Sequence, residues 1–175
     1  MKPYKRLIRL SDVLEMPDMR IPVRKGVGFG LTSGIITTLG LIVGLHSGTH
    51  SRPVILGGVL VIAVADALSD SMAMHVSEES EAAHPVREVW ESAAYTFASK
   101  LVFALSFLVP ILLLDLPLAI LASVGWGLFL ITLFSAYIAW EAGVKVYKVI
   151  LEHIIIAIAV VLATHYVGDL VALYT

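Results

Sequence analysis

The sequence predicts an all-α, polytopic membrane protein with five transmembrane helices, its N-terminus cytoplasmic and its C-terminus outside. Hydrophobic residues make up 58% of the 175 residues, and charged residues only 15%. The mean hydropathy of +0.90 lies well above that of ordinary soluble domains. The third observation is the uneven distribution of lysine and arginine between the apolar segments, which indicates orientation.

Five apolar segments are long enough to cross a bilayer, which takes about 20 residues each. They cover residues 26–46, 54–74, 95–114, 118–140 and 149–173. Because they take up nearly all of the chain, there is no room for a separate soluble catalytic domain, and we expect no enzymatic activity. The chain has no cysteine, which excludes disulfides, thiolate metal sites and cysteine nucleophiles.

Basic residues set the predicted orientation of these segments. Seven of the twelve precede the first segment, and Arg52 alone lies between the first and the second. Arg87 and Lys100 flank the second connection, and Lys145 and Lys148 lie in the fourth. With the N-terminus in the cytoplasm, eleven basic residues are inside and one is outside, as the positive-inside rule requires.

Residues 1–25 are predicted to form a basic helix on the cytoplasmic face of the membrane, followed by the transmembrane domain, residues 26–175. Tyr4, Leu7 and Leu14 recur at helical spacing among lysines and arginines, a pattern typical of interfacial helices. Simple topology anchoring is the alternative interpretation. The segment lacks the apolar core of a secretory signal, so we expect it to remain in the finished protein.

The first transmembrane segment is predicted to be a packing helix. Its glycines fall into two runs with a spacing of four residues, which allows another backbone to approach closely. Packing against the second segment and a seam between two copies of the chain are both open. The glycines are Gly26, Gly30, Gly34, Gly40, Gly44 and Gly48.

Two acidic residues, Asp66 and Asp70, lie one helical turn apart inside the second apolar segment. A carboxylate at membrane depth costs about 3 kcal/mol on insertion scales, so the pair requires a polar partner, water or an ion. We therefore expect the function to lie here. The alternative is a structural hydrogen bond or ion pair to a neighbouring helix. Lys100 is a candidate partner, although its position near the start of the third segment predicts a shallow location.

A polar stripe continues from this pair towards the cytoplasm, because residues 66, 70, 77 and 81 share one helical face. Carboxylates beside the thioethers of Met72 and Met74 and the imidazole of His75 suit a borderline divalent transition metal. The acidic link, residues 75–94, adds two further pairs, which are predicted to face each other as a clamp. A simply solvated acidic loop is the alternative. The candidate metal ligands are Asp66, Asp70, Met74, His75, Glu78, Glu81, Glu88 and Glu91.

Several motifs resemble the vacuolar iron transporter family, in a short form without the large cytoplasmic metal-binding domain. The stretches FGLTSGIITTLGLIVGL and ADALSDSMAMHVSEESE are similar to the first two helices of that family, and ATHYVGDL is similar to its ending. Two positions depart from the family pattern. Ser33 stands where the family has an aspartate. With Ser77 and Ser80 matched to the paired serines of the family, Asp70 stands at a methionine position, so a carboxylate missing from the first helix is regained in the second. An alignment on residues 71–73 instead keeps the methionine and requires a gap of two residues.

The resemblance implies a homodimer that moves Fe²⁺ or Mn²⁺ out of the cytoplasm in exchange for protons, with no permanent cofactor. The implied path lies near the first two helices and is lined by Ser33, Asp66, Asp70, Met72 and Met74. The host is the cytoplasmic membrane in a prokaryote or a vacuolar-type membrane in a eukaryote. A non-transporting metal sensor or accessory subunit stays open. A di-metal enzyme is disfavoured because paired Glu-x-x-His motifs are missing from the sequence, and no nucleic-acid motif is visible.

Overall fold

A computed structural model describes residues 21–81 and 85–174 of the chain. They form the helices α1 (Ile21–Thr49), α2 (Arg52–Ser80), α3 (Val86–Ser106), α4 (Leu108–Leu113), α5 (Leu116–Glu141) and α6 (Val146–Ala172). Helices α3 and α4 together form one span, so five helices in the described residues are long and apolar enough to cross a membrane. The predicted all-α fold with five such helices is confirmed, whereas the orientation of the termini stays a prediction.

The helices extend beyond the apolar segments that predicted them. Helix α1 begins at Ile21, so residues 21–25 of the predicted interfacial helix belong to α1, and residues 1–20 lie outside the described residues. Helix α2 continues to Ser80 and α3 begins at Val86, so most of the acidic link is helical. Apolarity marks the hydrocarbon core, which is thinner than the whole bilayer, and a helix continues into the headgroup region.

The bundle has two chemically distinct ends. The basic end is where α1 begins and α2 ends, and the histidine end is where α1 ends and α2 begins. At the histidine end, the Arg52 guanidinium donates a 2.6 Å hydrogen bond to the Leu114 carbonyl, which joins the start of α2 to the end of α4. The basic end carries Arg24, Lys25, Lys145 and Lys148, and the histidine end carries His46, His50 and His165.

Helix α1 lies at the centre of the bundle, and its two glycine runs pack within the same chain. Around Gly26, Gly30 and Gly34 the neighbour is the backbone of α3, and around Gly44 and Gly48 it is α6. The prediction of close packing is correct, but the helices found against the glycines are α3 and α6 and not the second helix, whereas a seam between two copies stays a prediction. Spacing identifies a groove for a backbone without identifying which helix fills it.

The third span is interrupted at Phe107, as Pro110 predicts. Proline has no N–H to donate, and its ring clashes with the carbonyl four residues earlier, here that of Ser106. The Ser106 hydroxyl bonds the Phe103 carbonyl at 2.6 Å, and the Trp126 indole donates to the Ser106 hydroxyl at 3.0 Å. The side chains of Ser106 and Trp126 therefore supply hydrogen bonds where the helix is interrupted.

The outward faces of the bundle are apolar. Large side chains such as Val61, Leu121 and Leu162 are more than half exposed, and the most hydrophobic part of α6 is hardly buried in the chain. Lipid covers such faces in a membrane protein. Buried apolar residues of α1, α2, α4 and α5 form the core between the helices.

Candidate functional site

The centre of the bundle holds a buried ammonium between two carboxylates. Lys100 Nζ of α3 lies 2.5 Å from Oδ2 of Asp66 and also contacts Oδ2 of Asp70. The lysine side chain is 1% exposed, and the aspartates are 26% and 19% exposed, respectively. Both carboxylates thus share one cation at a depth where bulk water does not balance charge.

Two hydroxyls from α1 complete this arrangement. Ser33 Oγ donates to Asp70 Oδ2 at 2.7 Å and accepts from Lys100 Nζ at 2.8 Å. The Thr37 hydroxyl donates to two acceptors, Asp66 Oδ2 at 3.0 Å and the Ser33 carbonyl at 2.8 Å. We call Ser33, Thr37, Asp66, Asp70 and Lys100 the central cluster.

Helix spacing and a glycine explain how three helices meet here. Asp66 and Asp70 face the same side because they are four residues apart, and the same holds for Ser33 and Thr37. A Cβ on Gly34 would lie 3.0 Å from the Lys100 carbonyl oxygen. Because glycine has no Cβ, α3 approaches α1 closely enough for the lysine to reach the aspartates on α2.

The cluster lies near the middle of each span that contributes to it, where α3 and α4 count as one span. Asp66 is fourteen residues from both ends of α2. Lys100 is fourteen residues after Val86, about 21 Å along the helix axis at 1.5 Å per residue. The predicted shallow location of Lys100 is therefore wrong, because α3 begins nine residues before the apolar segment does. Without Lys100, ten basic residues still remain on the predicted cytoplasmic side and one on the other.

Charge within the cluster is partly compensated. Two carboxylates and one ammonium leave one formal negative charge, and the two hydroxyls supply the remaining hydrogen bonds. The polar partner that the sequence required is thus a lysine and two hydroxyls from neighbouring helices. The contacts found are those of the structural alternative, in which the aspartates form an ion pair with a neighbouring helix.

Two concave regions connect the cluster with the histidine end. One, about 720 Å³, lies on the outer side of α1 and α2 and extends from Val54 to Asp66 and Ser69. The other, about 490 Å³, follows α1 from Thr37 to Thr49 beside α6. Both are largely apolar, and each is lined by one member of the cluster, the first by Asp66 and the second by Thr37.

The predicted soft ligands do not join the cluster. Met72 is on the outward face of α2 and more than half exposed, and Met74 is half-buried. The His75 ring packs on Trp90 with 4.3 Å between centroids, and its Nε2 lies 3.8 Å from Glu79. Met74 and His75 follow Asp66 by eight and nine residues, on the order of 12 Å along the axis at 1.5 Å per residue, which is too far to meet an ion that Asp66 holds.

The acidic residues at the end of α2 bind a lysine of α1. Glu78 is buried and accepts a 2.9 Å hydrogen bond from Lys25 Nζ, which also lies 3.8 Å from Glu81. A second contact at this end joins Arg24 to Glu141 at 2.5 Å. These ion pairs hold α1 against α2 and α5 at the basic end.

The acidic pair of α3 does not face the pair of α2 as a clamp. Glu91 accepts a 2.8 Å hydrogen bond from Arg87 one turn earlier, and Glu88 is half-buried in the first turn of α3. Within residues 21–81 and 85–174, no three His, Asp or Glu side chains converge as a metal-binding group. Arg87 binds Glu91, and Lys25 binds Glu78 and Glu81.

Sequence reasoning missed the role of Thr37 and predicted the wrong depth for Lys100. Thr37 lies one turn from Ser33 on the same face, and that spacing is visible in the sequence. Lys100 follows fourteen helical residues and precedes a strongly apolar run, so a longer third helix predicts its depth. The signal for the depth of Lys100 was the length of α3, which hydropathy alone underestimates because the helix begins before the apolar segment.

The fold and the central cluster define an integral membrane protein with five transmembrane-type helices and a charged centre. No known protein family, curated protein or solved structure matches the chain. The resemblance to vacuolar iron transporters therefore depends on the motifs alone and stays a prediction.

Proposed function

We propose that the protein moves a divalent metal cation across a membrane in exchange for protons, with Asp66 and Asp70 as the cation site. The observation that supports this most is that the two carboxylates, midway along their helix, already share a cation beside an open groove. Ionisable residues at this depth are costly, and they typically mark ion pathways. A transported ion takes the position that the Lys100 ammonium occupies.

The donor set favours Mn²⁺ over Fe²⁺ as the cargo. The groups around the cation position are carboxylate and hydroxyl oxygens from Ser33, Thr37, Asp66 and Asp70. Oxygen ligands suit Mg²⁺, Ca²⁺ and Mn²⁺, whereas imidazole or thioether ligands favour softer metals. Because Met72 faces away from the cluster, the soft contribution expected from the sequence is reduced.

Charge balance supports exchange for protons. A divalent ion and the Lys100 ammonium repel each other at the same carboxylates, so entry of the ion requires the ammonium to withdraw or to give up its proton. With the basic end in the cytoplasm, as the positive-inside rule predicts, the ion pair of Lys25 with Glu78 closes the cytoplasmic side. The two grooves then lead to the opposite side.

A homodimer is the proposed functional form. Asp66 is 26% exposed on a face of α2 that also presents Gly57 and Val61, and a Cβ on Gly57 would meet nothing within 4 Å. In a monomer this carboxylate would border lipid, which is unfavourable. A second copy that packs its α2 on this face would exclude lipid from both aspartates.

The absence of cysteine makes the dimer directly testable. Val61→Cys on α2 and Leu121→Cys on α5 are matched, because both native side chains are 68% exposed. Oxidation in membranes is expected to cross-link the α2 variant into a dimer and to leave the α5 variant monomeric. Equal cross-linking of both variants, or of neither, would contradict a dimer through α2.

One observation favours a second function, that of a non-transporting sensor or accessory subunit. Lys100 satisfies both carboxylates within the chain, so the cluster is stable without any bound metal. In that case metal would bind without crossing the membrane. Stoichiometric Mn²⁺ binding with no flux would favour this second function over the first.

Transport is tested with the full chain in proteoliposomes. Mn²⁺ uptake under an imposed pH gradient is compared between wild type, the double variant Asp66→Asn with Asp70→Asn, and Glu152→Gln. The control also loses a carboxylate, but from an exposed position on α6. Flux is expected to disappear only in the double variant, and equal flux in all three proteins would reject the assigned site.

Replacing Lys100 by arginine tests whether the side-chain cation must withdraw or lose its proton when the metal ion enters. Arginine stays charged at any physiological pH, and its planar guanidinium pairs well with carboxylates. We expect this protein to fold and to lose Mn²⁺ flux, because a permanent cation occupies the site. Retained flux would show that the ammonium and the metal do not compete.

A further inference from the structure

The end of α1 brings two imidazoles together. His46 lies in the last turn of α1, and His50 directly follows the helix with a φ of 50°, in the left-handed region. Its backbone N–H donates to the His46 carbonyl at 3.0 Å, and the ring centroids are 5.0 Å apart. His46 Nδ1 is buried and has no hydrogen-bond partner among the described residues.

Helix α6 adds an imidazole and a carboxylate at the same end. His165 Nε2 lies 3.5 Å from Asp169 Oδ2, one turn further along the helix. Asp169 also accepts a hydrogen bond from Ser47 of α1, the residue that follows His46. Two pairs of side chains, each spaced four residues apart, thus lie at the histidine end. They are His46 with His50 at the end of α1, and His165 with Asp169 on α6.

Glycines explain why the two helices come so close here. A Cβ on Gly48 would lie 3.2 Å from the Gly168 carbonyl oxygen, so the backbones of α1 and α6 are in contact. This contact lies at the end of the groove that follows α1 from Thr37. His46 and His165 are therefore carried by the segments of α1 and α6 whose backbones meet at the end of this groove.

We propose that His46, His50 and His165 form a second site, which binds a divalent transition metal, with Asp169 orienting the third imidazole. Imidazole ligands suit Zn²⁺, Cu²⁺, Ni²⁺ and Co²⁺, and paired histidines one turn apart chelate metal from one helix face. A carboxylate hydrogen-bonded to a ligating histidine is a common supporting contact in metal sites. This site is independent of the proposed cargo site at the central cluster.

Binding requires a small rearrangement. The described side chains do not yet converge on one point, since no group of three potential metal-binding side chains is assembled in residues 21–81 and 85–174. His165 is 50% exposed, so its ring is free of the core and has room to turn. Asp169 stays bonded to Ser47 while the ring turns.

The site is tested with Co²⁺, whose visible absorption reports the ligand geometry. Co²⁺ is titrated into the purified full chain in detergent, first alone and then with Zn²⁺ as a competitor. Wild type is expected to bind one Co²⁺ per chain, and His50→Ala and His165→Ala are expected to weaken binding about tenfold or more. Both side chains are largely exposed, so the variants keep the fold.

Two controls separate this site from the other histidine of α6 and from the central cluster. His153→Ala removes an imidazole of α6 that bonds Ser135 at 2.7 Å. The triple variant Lys100→Met with Asp66→Asn and Asp70→Asn removes the central charges together, so that no buried charge is left without its partner. Neither change is expected to alter the Co²⁺ spectrum. If wild type does not bind Co²⁺ at millimolar concentration, or if His50→Ala and His165→Ala bind as tightly as wild type, the proposal is overturned.

Discussion

Replacing Lys100 by methionine removes the only cation from the central cluster while nearly preserving side-chain volume. The lysine is 1% exposed and the two carboxylates that it bonds are at most 26% exposed, so water compensates little of the lost charge. Removing one partner of a buried ion pair costs about 3–5 kcal/mol. We expect a loss of that size in the free energy of unfolding, measured by titration with a denaturing detergent in mixed micelles.

A triple variant distinguishes the ionic explanation from lost packing. Lys100→Met with Asp66→Asn and Asp70→Asn leaves no charge to compensate, so most of the lost stability should return. Added Mn²⁺ should also stabilise the single variant, by about 2.7 kcal/mol at a hundredfold excess over its dissociation constant. If Lys100→Met is within about 1 kcal/mol of wild type, or the triple variant is as unstable as the single one, the ionic explanation is refuted.

Two further predictions use matched positions. Gly30→Ala places a methyl group against the Thr96 carbonyl oxygen and should cost about 1–3 kcal/mol, whereas Gly125→Ala meets open space and should stabilise by up to about 1 kcal/mol. Detergent-titration midpoints check both, and equal effects would contradict backbone contact at Gly30. Thr37→Val removes a hydrogen bond to Asp66 and should cost about 1 kcal/mol, whereas Thr38→Val replaces a buried hydroxyl without a partner in the described chain and should be neutral or stabilising. The reverse order of these two would refute the assigned bonds.

The sequence alone determined that this is a membrane protein with five helices. Twenty-residue apolar runs are read directly from composition, because the bilayer imposes its thickness on every span. It also determined that Asp66 and Asp70 share a face, since their spacing equals one helical turn. The two glycine runs of α1 likewise identified a surface for close helix packing.

Only the tertiary structure decided which groups meet these faces. Lys100 reaches the aspartates because α3 begins at Val86 and packs against Gly34, and neither fact follows from local pattern. The acids near the ends of α2 and α3 bind Lys25 and Arg87 instead of facing one another. Periodicity describes one helix at a time, whereas the partner of a buried charge depends on which helices are neighbours and at what depth they cross.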